Sequence, residues 1–125
     1  MVHFEMPYRN SKRVSRFYSS VFGWGMDDAG EDMGHYLVAI TSEVDKKMMH
    51  KKRGAINGGF YNIGKSKYKY PSFVISVPNV EESMKAIKKA GGKIISKPTE
   101  IPGIGLWASF RDTEGNRVSI LQAKK

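Results

Sequence analysis

The chain contains no cysteine. That excludes a disulfide framework, a thiolate metal site and a thiol nucleophile. No segment approaches the roughly 20 consecutive apolar residues of a membrane-spanning helix, and no charged N-terminal stretch leads into an apolar one. A soluble cytoplasmic protein with no membrane partner is therefore expected. Nucleotide fingerprints are missing as well: the glycine-rich run Gly54–Gly59 lacks the Lys-Ser/Thr of a phosphate loop and the downstream acidic residue of a dinucleotide site. No Ser/His/Asp nucleophile arrangement is visible. Acidic residues are also scarce, 12 against 21 Lys and Arg, which leaves a formal charge of +9 and a pI near 9.8.

Much of that excess charge is local. Lys46, Lys47, His50, Lys51, Lys52 and Arg53 crowd one segment, and Lys65, Lys67 and Lys69 alternate with Tyr68 and Tyr70 in another. Basic patches with interleaved aromatics can follow a nucleic-acid backbone. No recognition helix, zinc finger or RNP-like strand accompanies them, so solvated loop lysines are the preferred reading and nucleic acid is a disfavoured partner. A milder use is a positive field that draws small anions toward a cleft.

At 125 residues the chain is long enough for one domain with a real core, provided both halves contribute. Those halves read as the same pattern written twice. Setting Ser72 against His3 brings Asn79 opposite Asn10, Ala86-Ile87 opposite Phe17-Tyr18, and Gly92 opposite Gly23. The first strand is expected over Val2–Met6, closed by Pro7. Asn10 or Ser11 caps a helix to about Phe22, with Val14, Phe17, Tyr18 and Val21 facing the core and Gly23 as its stop. Strands follow at Trp24–Met26, Tyr36–Thr41 and Gly54–Ile63. Between them, Ser42 and Asp45 have the form of a capping box, and Thr41–Arg53 reads as a short helix or a lid with Met48 and Met49 over a cavity. The second half repeats the order: strand Phe73–Val77, helix from Asn79 with Val80, Met84, Ile87 and Ala90, strand Lys93–Ser96, loop Lys97–Gly105, strand Leu106–Phe110, hairpin turn Asp112–Asn116 and strand Arg117–Gln122.

That order, with the pieces "VHFEMP", "RFYSSVFGW", "VPNVEESMKAIKKAGGKI" and "FRDTEGNRVSILQ", resembles the vicinal oxygen chelate superfamily of glyoxalases, bleomycin-binding proteins and extradiol dioxygenases. The look is nearest to its small lactoylglutathione-lyase-related branch. The resemblance implies a single α+β domain of two βαβββ modules, about residues 1–64 and 70–125. Their strands would form a curled eight-stranded mixed sheet with an open cup, and the chain would be a homodimer.

Catalytic members hold a divalent metal at positions that carry over to His3, the Asn57–Gly59 stretch with Gly58 as the best match, Ser72 and Ser119. Glycine has no side chain and serine hydroxyls bind metal weakly beside imidazole or carboxylate, so no metal or other cofactor is expected. The strand faces implied to line the cup carry His3, Glu5, Gly58, Phe60, Ser72, Trp107, Ser109 and Ser119. Alternation puts His3 and Glu5 on one face as candidate acid–base residues, but nearly 7 Å of backbone separates them and a direct bond between them is not assured. The plain alternative is a terminal histidine packed at a strand edge, with Glu5 paired to a lysine. Two functions remain open: metal-free binding of a small anionic or aromatic molecule, or a lyase or isomerase acting on a small carbonyl-containing metabolite.

Overall fold

The computed structural model describes residues 1–47, 49–64 and 68–124; Met48, Lys65 and Lys67 of the sequence expectations lie outside them. It is a mixed α+β fold with nine strands and two α-helices among the described residues. The chain divides into two compact units, one spanning His3–Pro71 and the other joining Met1–Val2 to the residues from Ser72 onward.

In the first unit, β1 (His3–Tyr8) leads to α1 (Ser11–Phe22), then to β2 (Gly25–Asp28), β3 (Leu37–Ile40) and β4 (Asn57–Asn62). The strand order is β2-β3-β4-β1, antiparallel except for the parallel β1–β4 pair. Asn10 caps α1 by accepting the Arg13 amide at 2.9 Å, and Gly23 closes it at φ 73°, a left-handed position that glycine takes without steric cost. One sheet face and the Val14/Tyr18 row of α1 enclose the core of Tyr8, Leu37, Ala39 and Phe60. The aromatic stack of Tyr18 on Trp24, centroids 4.8 Å apart, extends it.

Several expectations are corrected here. Pro7 does not end β1, which continues to a buried Tyr8 whose hydroxyl donates to the His35 carbonyl at 2.9 Å. Phe17 and Val21 are 52% and 57% exposed, because the helix row that meets the sheet runs through Val14 and Tyr18. Among its described residues, the segment after Thr41 forms neither helix nor capping box. It is a hairpin-like turn in which Val44 bridges His50, the Asp45 carboxylate accepts the Lys47 and Met49 amides, and the Ser42 hydroxyl meets His50 Nδ1 at 2.9 Å.

The second unit repeats the scheme with one addition. β5 (Ser72–Ser76) and α2 (Val80–Lys89) are followed by β6 (Lys93–Ile94), β7 (Thr99–Ile101), β8 (Gly105–Arg111) and β9 (Arg117–Ala123). The order is β5-β9-β8-β6, with β7 also paired to β8. The stretch expected as a loop over Lys97–Gly105 thus contains a short strand bracketed by Pro98 and Pro102. Asn79 caps α2 through the Glu82 amide at 3.0 Å, and Gln122 Oε1 accepts the Val80 amide at 2.9 Å. Val80, Ala108 and Ile120 form the core under α2, with Met84, Ile87, Leu106 and Phe110 packed against it.

Candidate functional site

In the first unit, strand alternation sorts the candidate residues onto opposite faces. His3 pairs with Asn57, Phe4 with Gly58, Glu5 with Gly59 and Met6 with Phe60. Gly58 and Phe60 therefore belong to the face packed by α1. Phe60 is 1% exposed in that core, and a Cβ at Gly58 would run into the Phe4 ring. Neither lies on the face of His3 and Glu5, so their expected place beside those residues is corrected.

His3 and Glu5 do share a face, and a third residue joins them. His3 Nε2 lies 2.8 Å from the Tyr36 hydroxyl, and that hydroxyl donates to Glu5 Oε2 at 3.2 Å. The two side chains that strand geometry keeps apart are thus bridged by a phenol from the neighbouring chain segment. Tyr36 gets there by way of a tight turn. Gly30 donates to the Asp28 carboxylate at 2.7 Å, His35 sits at φ 56°, and its imidazole meets Asp28 at 3.1 Å. The Gly30 amide, with His35 adding, holds the Asp28 carboxyl below its usual range. The chain then enters β3 with Leu37 in the core and Tyr36 on the opposite side. Asn57, opposite His3, secures the far end of β3 by accepting the Thr41 amide at 2.9 Å.

Burial lowers the His3 pKa, favouring the neutral imidazole. Burial first, then the charge and hydrogen bond of Glu5, raises the Tyr36 pKa, so the phenol keeps its proton. A concavity of about 570 Å³ lies elsewhere in this unit, along Asn10, Lys12, Arg13, Arg16, Phe17 and Ser20 of the α1 region.

In the second unit, register pairs Val74 with Ser119, Ser109 with Ser119 and Trp107 with Leu121. Ser72, Trp107, Ser109 and Ser119 thus share one sheet face, opposite the one α2 covers. Ser72, Ser109 and Ser119 are 2%, 1% and 0% exposed. Ser109 is satisfied, since Ser96 Oγ lies 3.1 Å from its hydroxyl and accepts its amide at 2.9 Å. The hydroxyls of Ser72 and Ser119 are buried with no hydrogen-bond partner among the described residues.

The family model for the Glyoxalase/Bleomycin resistance protein/Dioxygenase superfamily matches residues 1–120. The chain belongs to that superfamily. It is 29% identical over 119 residues to a glyoxylase-like domain-containing protein of Didymella fabae, covering 93% of this chain and 88% of that protein. Among solved structures, a hypothetical protein from Bacillus halodurans C-125 superposes with a TM-score of 0.70 at 13% identity, covering 100% of this chain and 94% of that one. Methylmalonyl-CoA epimerase from Streptomyces coelicolor, in complex with 2-nitronate-propionyl-CoA, gives 0.67 at 12%, covering 100% and 97%. At such identities the structural likeness establishes the fold.

Superfamily members that hold a metal need imidazole or carboxylate donors at the four positions named above. Here His3 is the one strong donor. Gly58 offers no side chain and lies on the opposite, α1-packed face, and Ser72 and Ser119 offer neutral hydroxyls, which is a poor set for a divalent cation. Among the described residues no group of three or more His, Asp or Glu side chains is placed to hold a metal ion. Sequence reasoning missed Tyr36. Its one visible signal was that it alternates with Val38 and Ile40, away from the core positions Leu37 and Ala39.

Proposed function

We propose that this superfamily member binds a small anionic or aromatic molecule on the strand face that carries His3, without a metal held by protein side chains. The observation that carries the reading is the bridged His3–Tyr36–Glu5 set. Small-molecule sites combine apolar or aromatic walls with a few polar groups held in fixed directions, and here three polar side chains fix one another while the Tyr36 ring stacks with the imidazole at an interplanar angle of 17°. The formal charge of +9 favours anions over cations as ligands.

A thermal-shift screen of metabolites, with and without chelator, tests this. A ligand present at 100 times its Kd stabilises the native state by about 2.7 kcal/mol. The shift should survive chelator and disappear in His3→Ala. A shift seen only with added divalent metal would refute the metal-free reading.

The Tyr36 bridge also favours a second reading, a lyase or isomerase acting on a small carbonyl-containing metabolite, because an imidazole oriented by a hydroxyl and a carboxylate is suited to moving a proton. Deuterium uptake from D2O beside a substrate carbonyl, present in the wild type and lost in His3→Ala, would support it. A homodimer is part of the same proposal, supported by Phe17, Val21 and Phe22 of α1, which are 52%, 57% and 59% exposed; sedimentation of the wild type and Val21→Glu tests it. A cytoplasmic setting completes it, supported by the cysteine-free composition; among the described residues no helix is long and apolar enough to cross a membrane.

A further inference from the structure

We propose that Tyr36, itself oriented by Glu5, locks His3 as the Nε2–H tautomer, so that Nδ1 becomes the proton-accepting atom of this face and the ligand group it takes is an O–H, an N–H or a C–H acidified by a neighbouring carbonyl. The inference rests on the reading that the His3 face takes a small molecule, and it narrows which chemical group meets the histidine.

Counting protons fixes the assignment. A phenol has one proton to give, and a carboxylate can only accept. The Tyr36 proton therefore lies toward Glu5 Oε2, at 3.2 Å. The shorter contact, 2.8 Å between His3 Nε2 and the same phenol oxygen, must then be bridged by a proton from the imidazole. A neutral imidazole carries one N–H, so Nδ1 is left with its lone pair. That nitrogen has no hydrogen-bond partner among the described residues. The neutral ring itself is favoured by the burial of His3. An exposed histidine would exchange tautomers freely; this one is tied at one end by two residues drawn from different parts of the unit.

The lock decides what is recognised. A bare carboxylate aimed at Nδ1 would face a lone pair and be repelled, whereas a hydroxyl, an amide N–H or an acidic C–H would be accepted. Where that group is a C–H beside a carbonyl, the C–H bond breaks as the Nδ1–H bond forms, and its electron pair moves into the carbonyl as an enolate. The imidazolium so made keeps its other proton on Nε2, facing the phenol oxygen, whose own proton faces the Glu5 carboxylate. Returning the Nδ1 proton to carbon restores the starting ring, with no oxidant or reductant needed. In this scheme His3 is the group that touches ligand, and Tyr36 and Glu5 are positioning residues.

Long-range ¹H–¹⁵N correlation spectra of the full chain, which report the protonation of each ring nitrogen, test the assignment without any ligand. In the wild type at neutral pH, His3 should show a protonated Nε2 and an unprotonated Nδ1. Glu5→Gln keeps an acceptor oxygen for Tyr36 and should preserve that pattern. Glu5→Leu removes the acceptor, so the phenol turns its proton to Nε2 and the imidazole proton moves to Nδ1. Tyr36→Phe should remove the single-tautomer signature altogether, with backbone amide spectra of β1 and β4 confirming that the fold survives. A wild-type His3 protonated on Nδ1, or a tautomer unchanged in Glu5→Leu, overturns the inference. The two readings also fail separately. A locked His3 in a protein that no metabolite stabilises would sink the binding proposal alone, and metabolite binding with Nδ1 protonated would sink only the lock.

Discussion

The phenol of Tyr36 lies in the space that a side chain on Gly59 would occupy: a Cβ built there overlaps the hydroxyl and the ring carbons. The backbone of Gly59 is not left-handed, so glycine is required here for room and not for conformation. The residue that lets Tyr36 reach both His3 and Glu5 is thus one with no side chain. Gly59→Ala should displace the ring or strain the strand pair, at about 1–3 kcal/mol as for other overpacked sites. Urea midpoints measure the loss, and adding Tyr36→Ala should recover most of it. Strictly additive effects in that double-mutant cycle would show that the two residues do not compete for space.

Acid should weaken the protein through His3. Its folded-state pKa lies below the ordinary 6.5 because burial disfavours the charged ring. Between the folded and unfolded values the unfolded chain binds more protons, so stability rises with pH there. The His3 contribution is complete above about pH 6.5 and is lost as pH falls through the lower, folded value. Denaturation midpoints taken across that window should slope less in His3→Gln than in the wild type. Equal slopes would mean that the imidazole is not desolvated.

Serines of the second unit should respond in opposite ways to the same change. Ser72 and Ser119 bury hydroxyls with no partner among the described residues, and an unsatisfied buried polar group costs about 1–3 kcal/mol. Ser119→Ala and Ser72→Ala are expected to be neutral or stabilising by up to about 1 kcal/mol. Ser96→Ala removes the acceptor of the Ser109 amide and should destabilise by about 1 kcal/mol. A large loss in Ser119→Ala would reveal a partner for that hydroxyl, such as a bound water.

Each helix begins on an asparagine that accepts an amide three residues on, Arg13 for Asn10 and Glu82 for Asn79. Asn79→Ala should cost about 1 kcal/mol. Asn79→Asp should be tolerated, since an anion suits a helix N-terminus. Thermal or urea unfolding of the two variants separates loss of the cap from mere substitution.

What could be read from the sequence was what local chemistry decides. The Asn79 cap placed the start of the second helix at Val80, the first start was narrowed to a cap at Asn10 or Ser11, and the Asp112–Asn116 turn was legible because its carboxylate organises its own amides. What escaped depended on register. Tyr36 meets His3 only because β3 pairs with β4 and β4 with β1, a relation no local window contains. Phe60 was expected among the residues lining the cup, but pairing opposite Met6 puts it under α1. β7 was hidden because its flanking prolines and Gly103 are loop signals, while the strand itself is only Thr99–Ile101 and borrows its order from β8. Within α1, the apolar spacing allowed two neighbouring rows, and the sheet meets the one through Val14 and Tyr18.

The amide of Val2 donates to the Val74 carbonyl at 2.9 Å, so the opening residues of the chain belong to the unit built from its far half. A fragment starting at Ser72 would lack this contact, and the intact chain must return its beginning to its middle before that unit is complete. Together with the parallel pairing of His3 to Asn57 and of Val74 to Ser119, this makes for a topology of distant partners. Such chains reach the native state in milliseconds to seconds, well behind helical bundles of equal size. Extra sequence fused ahead of Met1 should slow that pairing, and stopped-flow refolding would show it as a lower folding rate.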